Sequence, residues 1–262
     1  MIQWKKQMET LDSDIYVLKQ FINTHERDQL LMSRKLVLLV DLDQTLLHTS
    51  LENDLTDNDN IFRYELDQIK YQTRLRPHVD TFLRNMSELF DMRICTLATR
   101  GYACKMTSLL DKDGNYFGGR IISREDANST SSKTSVLSNH FTVGDNLVVI
   151  IDDQRRVWSS APNLIDVKPY VFFGQSNGNH IDDSDAYLNQ LQSTLRNIHR
   201  DFFRAYDASV LQSQGSLPHV KSFMPNSLQP RVKRLRSCDQ YMQQMSKRRC
   251  VDSVNYCCVG QV

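Results

Sequence analysis

Two unbroken apolar stretches that run into paired carboxylates constrain this chain more than any other feature. Leu36-Val37-Leu38-Leu39-Val40 is followed by Asp41-Leu42-Asp43, and Leu147-Val148-Val149-Ile150-Ile151 by Asp152-Asp153. An apolar run of this length, bounded by polar residues, reads as a strand covered on both faces, as in a parallel sheet. In open α/β sheets, ligands gather at the carboxyl ends of the strands. Uncompensated carboxylates at a buried strand end are costly unless a cation shares the site. The two stretches therefore predict a metal-assisted site on an α/β scaffold.

The segments around them support that architecture. Val79, Phe82, Leu83, Met86 and Leu89 form the buried stripe of a helix whose first turn holds Pro77. Met92 to Ala98 predicts a second core strand, carrying Thr96 and Thr99 at its end. A helix follows from Gly101 through Tyr102, Met106, Leu109 and Leu110, and stops at the turn signal Asp111 to Gly114. Arg120 to Ser123 reads as a short strand and Pro169 to Phe173 as the last one. Leu188, Leu191, Leu195, Ile198 and Phe202 form a heptad-like stripe on a long helix over about residues 184–206, read as docked on its own domain with a coiled coil as the alternative. Strands alternating with helices give a doubly wound, Rossmann-like parallel sheet with right-handed crossovers.

Ahead of the first strand, Ile15, Leu18 and Ile22 recur at helical spacing. They predict a helix capped by Asp12 or Ser13 and packed beside the sheet edge. After it, the acidic run of Glu52, Asp54, Asp57 and Asp59 lacks the glycine and final glutamate of a calcium loop and reads as solvated. Residues 61–66 and 69–75 flank Asp67-Gln68 and predict a β-hairpin standing over the active face as a lid. The expected domains are an N-terminal helical segment (1–34), an α/β domain (35–206, insert at about 50–75) and a flexible basic tail (207–262).

Of the 262 residues, 40% are hydrophobic, which leaves room for loops or tails. A net charge of +1 points to neither nucleic acid nor an anionic membrane as a partner. No apolar run approaches the roughly 20 residues of a membrane span, and the N-terminus lacks a secretory pattern. Six cysteines in a chain read as intracellular are expected to be free thiols, Cys95 and Cys104 as core residues. Cys238, Cys250, Cys257 and Cys258 lack paired zinc-site spacing. Lys233-Arg234 and Lys247-Arg248-Arg249 fit either a bipartite nuclear address or an ordinary basic tail.

At one sheet edge the strand ends collect Asp41 and Asp43, Thr96, and Asp152 and Asp153, with Lys133 from the polar segment before the last of these. Each has a use in phosphoryl transfer. Mg²⁺ prefers oxygen ligands and keeps several waters. Lys133 and the metal would neutralise phosphate charge, and the Thr96 hydroxyl would bond a phosphate oxygen. One Asp attacks in line to give an aspartyl-phosphate, and another moves the proton of the leaving group.

The motifs also carry a resemblance. Asp41 to Leu46 (DLDQTL) resembles the D-x-D-x-T motif of haloacid dehalogenase-type phosphatases. Together with Leu75-Arg76-Pro77, Thr96 to Ala103, Ser123 to Asp126 and Ile150 to Trp158, the chain is similar to phosphatases of the RNA polymerase II C-terminal domain. It is most like the type that associates with transcription factor IIF, over about Lys35 to Phe173.

This resemblance implies Asp41 as nucleophile and metal ligand. It makes Asp43 the general acid/base, with its carbonyl also on the metal, and gives the phosphate to Thr96 and Lys133. It completes the metal site with Asp153, with Asp152 beside Lys133, and lends support to the site from Thr45, Arg76, Tyr102, Asp111 and Arg124. Arg76 as a helix cap and Asp111 as a turn residue are the alternatives, and His48 and His140 are expected to be structural. The resemblance further implies a nuclear protein acting on phosphorylated polymerase heptads, with transcription factor IIF as a partner. The insert is short for that type, and the sequence stops where its phosphopeptide-binding BRCT domain would start. A catalytically weak paralogue that binds phosphorylated tails is the alternative from another class, and a phosphatase of small metabolites, which usually carries a larger cap, is a third.

Overall fold

A computed structural model describes residues 2–52, 60–127, 131–142, 144–173, 185–212 and 216–225, with side chains from Ser13 onward. These residues fall within one compact unit, Met1–Leu228. Helix α1 (Ile2–Met32) leads into strand β1 (Leu36–Val40), whose five residues are all buried. A second sheet follows at once: β2 (Leu47–Leu51), β3 (Ile61–Leu66) and β4 (Ile69–Leu75). Then come α2 (Val79–Ser87), β5 (Phe90–Cys95), α3 (Arg100–Leu110) and β6 (Ile121–Ile122). Short helices α4 (Arg124–Ala127) and α5 (Thr134–His140) precede β7 (Val148–Asp152). A 3₁₀ turn (Arg155–Trp158), β8 (Leu164–Asp166) and the long α6 (Tyr187–Leu211) complete the body.

The central sheet is parallel throughout, in the order β6-β5-β1-β7-β8. Alternation along β1 explains the double winding. Leu36, Leu38 and Val40 pack with the stripes of α2, α3 and α6, while Val37 and Leu39 pack on the other face with Val136, Val157 and Trp158. The chain leaves β1 towards β5 on one side and later returns to β7 on the other. The crevice where strand order reverses therefore lies between β1 and β7. Val40 stands beside Ile151, and the Asp41 amide donates to the Ile151 carbonyl at 3.0 Å. The two acidic strand ends are thus neighbours.

The expected hairpin is present, with Asp67 and Gln68 both at positive φ (51° and 62°), as a tight hairpin turn requires. It is joined by a third strand, β2, that the acidic segment after β1 did not reveal. The insert is an antiparallel sheet ordered β2-β4-β3. It starts one residue beyond the DLDQTL motif, so its placement and that of the motif are tied.

Other expectations are corrected. Helix α1 begins well before Asp12 and Ser13, so neither caps it. Among its described side chains, those that bond to or pack on the body lie in the final turns: Asn23 donates to the Thr142 hydroxyl at 2.6 Å, Glu26 pairs with Arg93, and Leu30 and Leu31 pack on the core. Ile15, Leu18 and Ile22 do not cover the sheet edge and are 43%, 57% and 54% exposed. Pro77 stands outside α2, before the N-cap His78 at φ 67°. Cys95 is buried but Cys104 is exposed on α3.

Residues 169–173 are not a strand, and β8 takes the edge position instead. The segment crosses back to the motif, with the Tyr170 amide donating to the Gln44 carbonyl at 2.7 Å and the Phe172 and Phe173 amides to His48 Nδ1 at 2.9 and 3.0 Å. The body also runs on past residue 206, through the rest of α6 to fully buried Val220, whose amide donates to the Asn146 carbonyl at 2.9 Å. The acidic residues Asp54, Asp57 and Asp59, and the basic clusters at 233–234 and 247–249, lie outside the described residues. No helix among the described residues is long and apolar enough to cross a membrane.

Candidate active site

Lys133 is the centre of the acidic edge. As the residue before α5, it sends a buried side chain across the sheet ends. Its Nζ donates to Asp41 Oδ1 at 2.6 Å, to Asp152 Oδ2 at 2.5 Å and to the Cys95 carbonyl at 2.9 Å. Three acceptors match the three protons of an ammonium. Burial alone would lower the pKa of Lys133, but Asp152 and Asp41 outweigh it and hold the amine protonated well above its ordinary range.

Asp152 is held from every side. Besides Lys133, its Oδ2 accepts from Trp158 Nε1 at 2.8 Å and its Oδ1 from the Gln154 amide at 2.7 Å. In the sequence Trp158 stood out only as the end of the Ile150 to Trp158 motif. Its place six residues after Asp152, at the end of a 3₁₀ turn, carries no recognisable signal. Asp41, Asp152 and half-buried Asp153 each offer a carboxylate oxygen within 4.8 Å of the others. Burial, followed by the charge of Asp152, pushes the Asp41 carboxyl well above the carboxylate range despite Lys133. Three carboxylates around one ammonium leave an excess of negative charge in a buried place. An all-oxygen set of this kind fits a hard divalent cation, which would offset that excess.

Asp43, two residues on, lies in different surroundings. Its Oδ1 accepts from the Tyr102 hydroxyl at 2.5 Å, with α3 placing the tyrosine above the motif. Burial pushes the Asp43 carboxyl up to about 6, with the Tyr102 hydrogen bond pulling the other way. The tyrosine oxygen is also 2.7 Å from the Thr49 hydroxyl on β2. A phenol has one proton, so with that proton given to Asp43, Thr49 donates to Tyr102. The Thr73 hydroxyl is 2.7 Å from Thr49, and the Tyr64 hydroxyl 3.2 Å from Thr73. The same bookkeeping orients the whole chain: Tyr64 to Thr73 to Thr49 to Tyr102 to Asp43. It follows from the β2–β4 register, which sets Thr49 opposite Thr73.

The motif loop is stapled between these two environments. Gln44 is buried at φ 62°, an unusual conformation for a residue with a side chain. Thr45 is fully buried, and its hydroxyl has no hydrogen-bond partner among the described residues. Leaving a buried hydroxyl unpaired costs about 1–3 kcal/mol, which a bound ligand would recover. Arg76 does not cap α2. Its buried guanidinium donates through Nη1 to the Thr45 carbonyl at 3.1 Å and the Lys168 carbonyl at 3.0 Å, and through Nε to Asp185 at 3.1 Å.

The remaining candidates divide. Thr96 directly follows β5, is buried, and accepts from the Ala98 amide at 3.1 Å. Among the described residues its hydroxyl donates to none, so the proton is available to a ligand. Arg124 opens α4 beside the same edge, its amide donating to the Ala98 carbonyl at 3.1 Å, and its guanidinium makes no ion pair among the described residues. Asp111 is not brought to this group. It caps the far end of α3 and accepts from the Tyr116 and Phe117 amides at 3.0 and 2.8 Å, the turn role weighed for it. His48 is structural: it accepts the two amides of the 169–173 segment, and burial lowers it to about 4.

A doubly wound parallel sheet with carboxylates on its two central strand ends and an antiparallel insert after the first strand defines a haloacid dehalogenase-type fold. Among the solved structures that share it are two phosphatases. One is Fcp1, an essential RNA polymerase II CTD phosphatase, with a TM-score of 0.70, 22% identity, and coverage of 86% of this chain and 83% of that one. The other is the fission yeast enzyme Fcp1-R271A bound to beryllium fluoride, with a TM-score of 0.68 at the same identity and coverage.

The profile of the NLI interacting factor-like phosphatases matches residues 36–202, and the chain belongs to that family. It is 39% identical over 208 residues to an RNA polymerase II C-terminal domain phosphatase of Caenorhabditis elegans, covering 72% of this chain and 32% of that protein. It is 41% identical over 155 residues to the Homo sapiens protein of the same name, covering 58% of this chain and 16% of that one. The chain thus spans about a third or less of these two relatives.

Proposed function

We propose that this chain is a Mg²⁺-dependent protein serine/threonine phosphatase that acts on the phosphorylated heptad repeats of RNA polymerase II. The observation that carries the reading is the division within one turn: Asp41 fixed by an ammonium, Asp43 fixed by a hydroxyl. A nucleophile benefits from a fixed cation beside the oxygen that becomes phosphorylated. A proton-transfer group benefits from a neutral partner and a raised pKa.

In this reading Asp41 attacks the phosphorus in line, and the ester oxygen leaves on the opposite side. Asp43, protonated at that moment, gives its proton to the leaving seryl oxygen. It then takes one from the water that cleaves the aspartyl-phosphate. The Thr96 hydroxyl bonds an equatorial phosphate oxygen, Lys133 turns to another the proton it otherwise gives Asp41, and Asp152 with Trp158 keeps Lys133 in place. Thr45, Arg124 and Arg76 support the site, Arg76 by fixing the motif carbonyl. Asp41, Asp153 and the Asp43 carbonyl are the residues to hold Mg²⁺, which when bound neutralises charge on the transferring phosphate.

The substrate follows from the relatives, named for the polymerase tail. Transcription factor IIF as a partner and a nuclear location belong to the same proposal. A tail-binding module without turnover has no need of the hydroxyl chain that ends on Asp43.

Phosphate release from singly phosphorylated heptad peptides, with and without Mg²⁺, tests this. Release should require Mg²⁺, and Mg²⁺ at a hundredfold over its Kd should add about 2.7 kcal/mol to the unfolding free energy. The mechanism fails if release is undiminished by chelation. A dedicated polymerase substrate is ruled out by equal rates on unrelated phosphoserine peptides.

A further inference from the structure

The acidic strand ends of β1 and β7 stand in the middle of the carboxyl edge, and two cations stand beyond them at the β8 end. Strands β7 and β8 run parallel with Asp152 beside Asp166, and the ladder continues past them: the Val167 amide donates to the Asp152 carbonyl at 2.9 Å. The next residue, Lys168, therefore emerges level with the turn that follows Asp153, one strand spacing of about 4.8 Å away. Arg155 opens the 3₁₀ turn only two residues after Asp153.

Alternation puts both cations on one side of β8. Residues two apart on an extended chain share a face, so Lys168 falls on the face of Asp166, and Val167 between them is buried where Lys168 is exposed. Arg155 is directed to that same face, its Nε 3.5 Å from Asp166 Oδ2.

Exposed cations are ordinarily solvated, and one exposed ion pair contributes little to stability. These two differ in how they are held and in what they leave over. The Lys168 backbone is fixed, with its carbonyl accepting from Arg76 Nη1 at 3.0 Å and the amide before it in the ladder. Its ammonium makes no ion pair among the described residues. Arg155 is oriented through Nε, and its two terminal nitrogens make no hydrogen bond among the described residues. That terminal pair is the fork that grips a phosphate through two parallel bonds, and an ammonium adds a point charge beside it. Asp166 orients the fork, and with Arg155 and Lys168 it still leaves an excess of positive charge next to an acidic centre.

The separation selects the ligand. Two residues of chain and an arginine side chain place the fork roughly 10 Å from Asp153, the span of about three residues of extended peptide. A repetitive phosphorylated tail presents further phosphates at fixed distances from the one being removed. Resting on the phosphatase reading above, we infer that Arg155 and Lys168 form a second phosphate subsite. The substrate is then a peptide phosphorylated twice, with the second phosphoserine about three residues from the one hydrolysed.

Rates of the full chain with Mg²⁺ test this on heptad peptides carrying one phosphoserine or two, the second moved through each nearby position on either side. A second phosphate about three residues away should lower KM about tenfold and leave kcat within about twofold, since two cations meet one dianion. In the Arg155→Ala, Lys168→Ala double variant the ratio of kcat/KM between the two peptides should fall to about one. Arg156→Ala should keep the ratio, because its side chain leaves the 3₁₀ turn about 120° from that of Arg155. Fluorescence anisotropy on the Asp41→Asn chain, which binds without turnover, should show the same tenfold or so in Kd. Phosphate release with no preference at any spacing overturns the subsite and leaves the phosphatase reading. A preference in anisotropy with no release by the wild-type chain from any peptide overturns the phosphatase reading and keeps the subsite. A preference that survives the double variant, is lost equally in Arg156→Ala, or is reproduced by glutamate in place of the second phosphoserine is a general attraction of negative charge and overturns the assignment.

Discussion

Asp41 and Asp43 belong to one turn, yet the regions that hold them are built on opposite terms. The Asp41 side is the edge of a parallel sheet, and it is held by charge: an ammonium between two carboxylates, all three buried. The Asp43 side is the insert, and it is held by neutral hydroxyls handed along from Tyr64 to Tyr102. A charged cluster is rigid, because removing one member strands the others in low dielectric. A hydroxyl chain stabilises less and constrains orientation more. In the proposed mechanism, that contrast suits a fixed nucleophile beside a carboxylate that takes and gives a proton.

The contrast can be broken or sharpened by experiment. Asp41→Asn should lower phosphate release on the order of 10⁴-fold while circular dichroism stays unchanged, because the amide fills the same space. An active variant would remove Asp41 from the chemistry. Lys133→Met should come next, with a stability loss of about 3–5 kcal/mol in urea unfolding, as Asp41 and Asp152 lose their shared cation. If Thr49→Val costs as much as Lys133→Met, the two regions are not held on different terms.

Acid should reach the neutral side through His48. Its folded pKa of about 4 lies below the ordinary 6.5, so between those values the unfolded chain binds a proton that the folded chain refuses. Stability is therefore complete above pH 6.5 and declines as pH falls towards 4, by on the order of 3 kcal/mol. His48→Asn, which can keep an acceptor near the Phe172 and Phe173 amides, should flatten that part of the curve of unfolding free energy against pH.

The smallest effect belongs to Thr49→Val, which interrupts the chain behind Tyr102. It should reduce kcat about fivefold to tenfold and leave KM within about twofold, with Thr49→Ser restoring the rate. A matching change in KM would mean that the insert acts on substrate binding instead.

The strength of each signal explains what the sequence revealed. β1 and β7 were legible because both faces are covered, so every residue is apolar and the first carboxylate marks the end. The stripes of α2 and α6 were legible because one period of 3.6 governs them. The short helices α4 and α5 were not, since a polar segment of one or two turns has no periodicity to read. Pro169 to Phe173 looked like a strand because its aromatic residues are buried, but they pack against His48 and the motif turn, and its amides go there as well. The hydroxyl chain behind Asp43 was beyond reach for another reason. It depends on the pairing of Thr49 with Thr73, residues 24 positions apart on strands whose register nothing local fixes. Asp111 was assigned by resemblance, and its own surroundings make it a turn residue.

The order of the insert sheet has a consequence for how such a protein can change. Strand β4 lies in the middle, so β2 and β3 each take their register from it and not from each other. The stretch that joins β2 to β3 is therefore a graft point. Each doubling of such a connection costs only about 0.6 kcal/mol of closure entropy. The strand that bears Thr49 does not shift when the graft grows. A lineage can change the length and chemistry of that connection, up to a whole added module, without retuning the hydroxyl chain that ends on Asp43.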